Sequence, residues 1–475
     1  MIVQFISSLV TFLSWLFISY TIVVLLFYFV ILFISAKQLR SQYGFNSKEA
    51  EEDLLDSFDT KPVSILVPAY NEEAGIYNSV RSLLSIYYPE YEVIVINDGS
   101  KDSTVETMIE SFQMVKTNTV LRTRIPTAEV KGIYRSTIYK NVYMIDKENG
   151  GKADALNAGM NLSHYPYVCS LDGDSVLERN AFLKVIKPIL DSDGEVIAVG
   201  GSVRIANGCH IEGGEVMTVD LSNKPFVIMQ VIEYLRAFLI GRIGLSRHNL
   251  LLIISGAFGV FEKESVIRIG GYRTNTVGED MDLVVRLHRM IKEEGLNKKI
   301  LYVPDPVCWT EAPESALYLR RQRQRWHRGL CEVIWNHKDM LFNPKYGLVG
   351  VLSMAYFFLI ELMGVFVELA GYILILFGVL FSFINAEVTI LMASLSFLYG
   401  SILSMSGVLL EEWSLRKYPK PANIVKLFFY ALSETFWYRP LTIKWRVEGF
   451  LQFLAGKKDW GEMKRIGVGA KVESK

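Results

Sequence analysis

The chain has 475 residues, more than one compact core usually organises, so at least two structural parts are expected. It is 51% hydrophobic with a formal net charge of zero; that balance points to a protein partly in lipid and argues against nucleic acid as a partner, which calls for a basic surface. The four cysteines, Cys169, Cys209, Cys308 and Cys331, have no paired spacing and fit reduced thiols in a cytosolic domain better than disulfides or a zinc site.

Residues 1–36 carry no charge, and the stretch from Phe12 to Ala36 exceeds the ~20 apolar residues that span a bilayer. The lack of a basic leading region argues against a cleaved signal peptide. Lys37 and Arg40 follow directly, so the positive-inside rule puts the next segment in the cytoplasm and the N-terminus outside. Residues 37–60 read as a polar, acidic linker, and residues 61–343 as a cytosolic α/β domain. Strands are expected at Val63–Tyr70, Glu92–Asp98, Val142–Asp146 and Tyr167–Leu171, alternating with helices, as in a mainly parallel sheet covered on both faces. Met114–Asn141 is a long basic insertion, read first as a solvated face and second as a contact for anionic lipid headgroups.

Lys224–Arg242 has Gln230, Glu233 and Arg236 on one stripe and apolar residues around the rest. That pattern fits a buried packing helix, but so broad an apolar face in a membrane protein favours a helix lying in the interface. Residues 344–411 read as transmembrane helices. Gly347–Phe383 is long for one span, and its Glu361 and Glu368 should face a bundle interior or an aqueous path. The basic loop Arg416–Lys420 is expected in the cytoplasm. Residues 412–456 read as interfacial or re-entrant helices, and residues 457–475 as a cytosolic tail.

Ligands of open α/β sheets bind beyond the carboxyl ends of the strands, where Asn97-Asp98 and Asp172-Gly-Asp174 both fall. Two carboxylates around a glycine offer hard oxygens that suit Mg²⁺ or Mn²⁺. Lys152 follows a Gly-Gly turn at a helix start, an unfavourable place for a cation unless a phosphate meets it.

Six segments occur in order: Pro68-Ala-Tyr-Asn-Glu72, Asn97-Asp-Gly-Ser100, Gly150-Gly-Lys-Ala-Asp-Ala-Leu-Asn157, Asp172-Gly-Asp174, Gly278-Glu-Asp280 and Gln322-Arg-Gln-Arg-Trp326. Together they resemble the inverting family 2 glycosyltransferases, and within them the membrane-embedded processive polysaccharide synthases that make cellulose, hyaluronan and poly-β-1,6-N-acetylglucosamine. The resemblance implies a GT-A catalytic domain fused to a transmembrane and interfacial helical bundle in the plasma membrane. It implies a nucleotide-diphosphate sugar donor, expected to be a UDP-sugar, and a growing exopolysaccharide as acceptor.

By the same resemblance Asp174 is the direct metal ligand, and Asp172 helps hold metal and nucleotide. Tyr70 and Glu72 would flank the base, Asp98 would meet uridine and ribose, and Lys152 and Arg325 the diphosphate. Many relatives have Asp where this chain has Asn97, so the carboxylate role falls to Asp98. Asp280 matches the base that deprotonates the acceptor, with Glu279 and Asp282 as competitors. Gln322, Trp326, Ser255 and Gly256 match the acceptor site, and Trp460 and Arg465 a gating loop closing over the nucleotide. Membrane lipid is an expected contact, and control by an accessory subunit stays open. The rival readings are a single-sugar transferase acting on a lipid acceptor and a membrane scaffold with a decayed enzyme domain.

Overall fold

The computed structural model describes residues 2–43, 60–119, 121–173, 175–212, 215–381, 384–418 and 420–457. In chain order its strands are β1 (Val63–Ala69), β2 (Tyr91–Asp98), β3 (Met114–Thr117), β4 (Val130–Ser136), β5 (Val142–Lys147), β6 (Tyr167–Leu171), β7 (Val176–Leu177) and β8 (Val196–Ile205). The hairpin β9 (His210–Glu212) and β10 (Glu215–Thr218) follows, then β11 (Phe258–Glu262) and β12 (Lys299–Thr310). All but the hairpin join one sheet in the order β3-β4-β5-β2-β1-β6-β11-β8-β12-β7. Its centre, β5-β2-β1-β6, is parallel, as is the pair β8-β12. β11 runs antiparallel between β6 and β8.

The central strands are continuous apolar runs because both their faces are covered. Val63, Ile65, Val67, Val93 and Val95 expose no surface. Helix α1 (Ile2–Tyr43) precedes the domain; α2 (Ile76–Leu84), α3 (Thr104–Ser111), α4 (Lys152–Leu162) and α5 (Ala181–Leu190) follow the strands that feed them. α4 comes so close to the sheet that a Cβ on Gly159 would stand 3.0 Å from both Ile96 Cδ1 and Leu66 Cδ2. The expected basic insertion is partly strand: β3 and β4 extend the sheet edge beside β5. Short strands with charged outer residues do not show the long apolar runs by which the buried strands are read.

The segment read as an interfacial helix is a packing helix. α6 (Pro225–Leu235) continues as a π-helical turn, Arg236–Arg242. Its apolar side is covered by protein: Val227, Ile228, Met229 and Ile232 expose nothing. Its polar stripe meets protein partners too. Gln230 Nε2 donates to Pro313 O at 2.7 Å, Glu233 accepts from Arg323 (2.5 Å) and Tyr438 (2.7 Å), and Arg236 donates to Ser404 (2.7 Å) and Glu434 (3.1 Å).

After α7 (Glu279–Glu293) and α8 (Ala316–Asn336) the chain enters the apolar part. Among the described residues, three helical stretches are long and apolar enough to cross a membrane: Ser8–Ser41, Val349–Leu380, which ends in α9 (Gly364–Phe381), and α10 (Ala386–Ser414). The interfacial or re-entrant helices expected next form one unbroken helix, α11 (Pro421–Leu454), roughly 51 Å long at 1.5 Å per residue. Both its ends meet the sheet domain: Lys426 Nζ donates to Asn223 at 2.8 Å, and Glu448 accepts from Arg320 at 2.7 Å.

Candidate active site

The carboxyl ends of the parallel strands are held by charge. Asp98 closes β2 and is buried. Its Oδ1 accepts from Lys147 Nζ (2.6 Å) and Gly150 N (2.9 Å), and its Oδ2 from Gly151 N (2.8 Å) and Asn149 Nδ2 (3.2 Å). A carboxylate has about four acceptor positions, and protein donors fill them here. Through these bonds Asp98 holds the Gly150-Gly151 turn. Gly151 has φ +86°, where a side chain is strained, and a Cβ on Gly150 would stand 2.6 Å from Asp154 Cγ. That turn starts α4 and sets Lys152 as its first residue.

Lys152 Nζ lies 2.5 Å from Asp172 Oδ1 just beyond β6, donates to Gly256 O at 3.2 Å and stands 4.0 Å from Glu279 Oε1. Burial opposes its charge, but Asp172, Glu279 and Asp280 more than offset that, and the ammonium is held above the ordinary lysine value. Burial, with Asp280 adding to it, outweighs Lys152 at Glu279, whose carboxyl is pushed up to about 7. Asp280, in the first turn of α7, accepts from Gly256 N at 3.3 Å. Asp282, the third acid of that turn, is fully buried against Arg286 (2.7 Å), His337 (2.9 Å) and Arg273 (3.2 Å), a structural position.

Eight of the expected residues line one cavity of about 720 Å³: Lys152, Asp172, Ser255, Gly256, Asp280, Gln322, Arg325 and Trp326. Gln322 Oε1 is buried with no hydrogen-bond partner among the described residues. Trp326 is half-exposed, and the Arg323 guanidinium lies 4.5 Å from the centre of its indole. Beyond them the cavity runs between the apolar helices, past Tyr28, Glu361, Glu368, Tyr399, Arg439 and Arg446. Glu361 and Glu368 face this interior, as expected. Arg439 grips Glu368 through two bonds of 2.7 and 2.8 Å, and Arg446 pairs with Glu361 at 3.3 Å.

Tyr70 and Glu72 stand at the same sheet edge, after β1, but off the cavity wall. Asp174, Trp460 and Arg465 lie outside the described residues. Sequence reasoning missed Glu233, whose bonds to Arg323 and Tyr438 tie α6 to α8 and α11. The only local signal was its place on the polar stripe of α6. Asp172 supplies hard carboxylate oxygens of the kind Mg²⁺ or Mn²⁺ takes, beside a cationic lysine that suits a diphosphate. Among the described residues, no group of three or more His, Cys, Asp or Glu side chains is placed to hold a metal by itself, so Asp174 would have to complete the set.

A largely one-directional sheet with acids and a lysine at its carboxyl edge, joined to apolar helices, defines a GT-A glycosyltransferase architecture. Comparison agrees. The family model for glycosyl transferase family 2 matches residues 64–217, and that for glycosyl transferase family group 2 matches residues 167–405, about half of the chain. The chain belongs to glycosyl transferase family 2.

It is 32% identical over 275 residues to a poly-β-1,6-N-acetyl-D-glucosamine synthase of Staphylococcus epidermidis, covering 57% of this chain and 55% of that one. It is 30% identical over 275 residues, with the same coverage, to the synthase of that name from Staphylococcus aureus strain COL. The chain thus spans about half the length of the curated relatives it matches. Among solved structures, the mannosyltransferase PcManGT from Pyrobaculum calidifontis, in complex with GDP-Man and Mn²⁺, has a TM-score of 0.54 at 16% identity, covering 93% of this chain and 99% of that one. At that identity the likeness establishes the fold.

Proposed function

We propose that the chain is a processive inverting glycosyltransferase that builds an exopolysaccharide of the kind found in biofilms, from a nucleotide-diphosphate sugar, and passes it outward. The observation that carries this reading is the continuous cavity. Its lining joins Lys152, Asp172, Asp280, Gln322 and Trp326 to Tyr28, Glu361, Glu368 and Tyr399, which sit on helices long enough to cross a membrane. A single-sugar transferase has no need of such a path. The relatives named for a polymer of N-acetyl-D-glucosamine support an N-acetylamino sugar, and in this reading the donor is its UDP derivative.

In this reading Tyr70 and Glu72 flank the nucleotide, and Lys152 and Arg325 meet the diphosphate. Asp172 and Asp174 are the residues that would hold the Mg²⁺ or Mn²⁺ whose charge neutralises the leaving diphosphate. Asp280 takes the proton of the acceptor hydroxyl as that oxygen bonds to the anomeric carbon. The bond from that carbon to the diphosphate breaks, and the configuration inverts. Gln322 and Trp326 hold the acceptor, with Ser255 and Gly256 in the wall of the same cavity, and Trp460 and Arg465 belong to a loop that closes over the donor. The catalytic domain faces the cytoplasm of a multi-pass plasma-membrane protein. Lipid contact and a regulatory subunit are compatible with this reading.

The test is purified protein with a panel of nucleotide sugars, reading nucleoside diphosphate release and product length. Asp280→Asn should bind donor normally while transfer falls ~10²–10⁴-fold, and Glu279→Gln should retain transfer. The reverse pattern would make Glu279 the base. A wild type that adds one sugar to a lipid and stops would replace the processive reading.

A further inference from the structure

Arg242, intermediate in exposure, differs from the arginines of this region that pair with an acid. Arg204 pairs with Glu411, Arg236 with Glu434, Arg286 with Asp282, Arg323 with Glu233 and Arg439 with Glu368. Arg242 forms no such pair among the described residues. Its Nη1 is buried without a hydrogen-bond partner, and its guanidinium lies 4.0 Å over the Phe238 ring. It ends the π-helical turn, a local widening that recurs at functional sites, and lines the cavity shared by Lys152, Asp280 and Trp326. The acid whose charge acts on it is Asp280, with Tyr302 and Tyr234 as the other groups. A desolvated donor left unpaired is costly, and an oxygen of a ligand entering the cavity would satisfy it.

In the reading above the diphosphate lies with Lys152 and Asp172, which leaves the acceptor to supply an oxygen to Arg242. A neutral hydroxyl is a weak partner for a guanidinium. A carbonyl oxygen presents two lone pairs to the planar fork of N–H groups. We propose that Arg242 orients the acceptor by donating to the carbonyl oxygen of its N-acetylamino group, beside the hydroxyl that Asp280 deprotonates. This rests on the reading of the site as a transferase of N-acetylamino sugars.

The test uses the full chain in detergent, UDP-N-acetylglucosamine as donor, and two acceptors: an N-acetylglucosamine oligosaccharide and its fully de-N-acetylated counterpart. The wild type should have a KM roughly 10- to 100-fold lower for the acetylated acceptor. Arg242→Gln should raise that KM to the level of the de-acetylated one, with a much smaller change in donor KM. Arg242→Lys should recover part of the difference. Equal wild-type KM values for the two acceptors would overturn the inference without any variant. So would an Arg242→Gln effect of equal size on both. A shifted pH–rate profile with unmoved KM values would assign Arg242 to tuning Asp280 instead. Absence of UDP release by the wild type would remove the donor reading and this inference together, whereas turnover with unmoved acceptor KM removes only the inference.

Discussion

Lys147 exposes no side-chain surface and sits between Asp98 (2.6 Å) and Asp154 (2.7 Å), under the turn that presents Lys152. Removing one member of a buried pair typically costs ~3–5 kcal/mol, because the remaining charge stays buried. Asp98→Asn should therefore lower the melting temperature and weaken donor binding together; weakened binding at unchanged stability would assign Asp98 to the nucleotide. His288 offers a pH test at the same scale. It is fully buried with Nε2 2.8 Å from Leu251 O, and burial pushes its imidazole down to about 4. The unfolded chain then takes up the proton first as pH falls. Stability present above the unfolded value of ~6.5 is lost progressively down to about 4, by ~3 kcal/mol in all. Melting curves across that window should show the loss, and His288→Gln should reduce it.

Among the elements, α11 lines the cavity with Arg439, Thr442, Ile443 and Arg446 and lies against α8. Gly449 makes the approach possible: a Cβ there would stand 2.6 Å from Gln324 O, a backbone atom that cannot swing away. Gly449→Val should push α11 off α8, strain the Arg320–Glu448 pair and cost ~1–3 kcal/mol. Gly241, whose Cβ would meet nothing within 4 Å, is the control, and Gly241→Ala should leave the melting temperature unchanged or slightly raised. Equal destabilisation by both substitutions would remove the helix contact as the cause.

Across the whole molecule, sidedness follows from how the apolar helices are tied to the sheet. The loop after α10 is docked on the sheet domain: Lys417 pairs with Glu178 (3.1 Å), Lys420 with Asp220 (2.5 Å), and Tyr418 is buried. Arg204 of β8 pairs with Glu411 near the end of α10. Loop and domain therefore share one side, and the basic residues of that loop favour the cytoplasm. In a cysteine-free background, Ser100→Cys should resist a membrane-impermeant thiol reagent in intact cells and react after permeabilisation. Labelling in intact cells would reverse the orientation.

What the sequence determined by itself is local. Apolar length reveals the candidate spans, since crossing hydrocarbon takes a set number of residues. Continuous apolar runs ending in Asn97-Asp98 and Asp172 reveal buried strands and their chemical edge. Short motifs in order reveal the transferase family. The charged edge strands β3 and β4 escaped because half-exposed strands lack that signature. The tertiary structure alone decided which charges meet. Asp98 is saturated by Lys147 and the Gly150-Gly151 turn, some 50 residues on, and so positions Lys152. Glu368 finds Arg439 and Arg236 finds Glu434 only once the helices pack. The physical reason is that a buried charge must be neutralised by whatever the fold brings near it, and no local pattern along the chain encodes that neighbour.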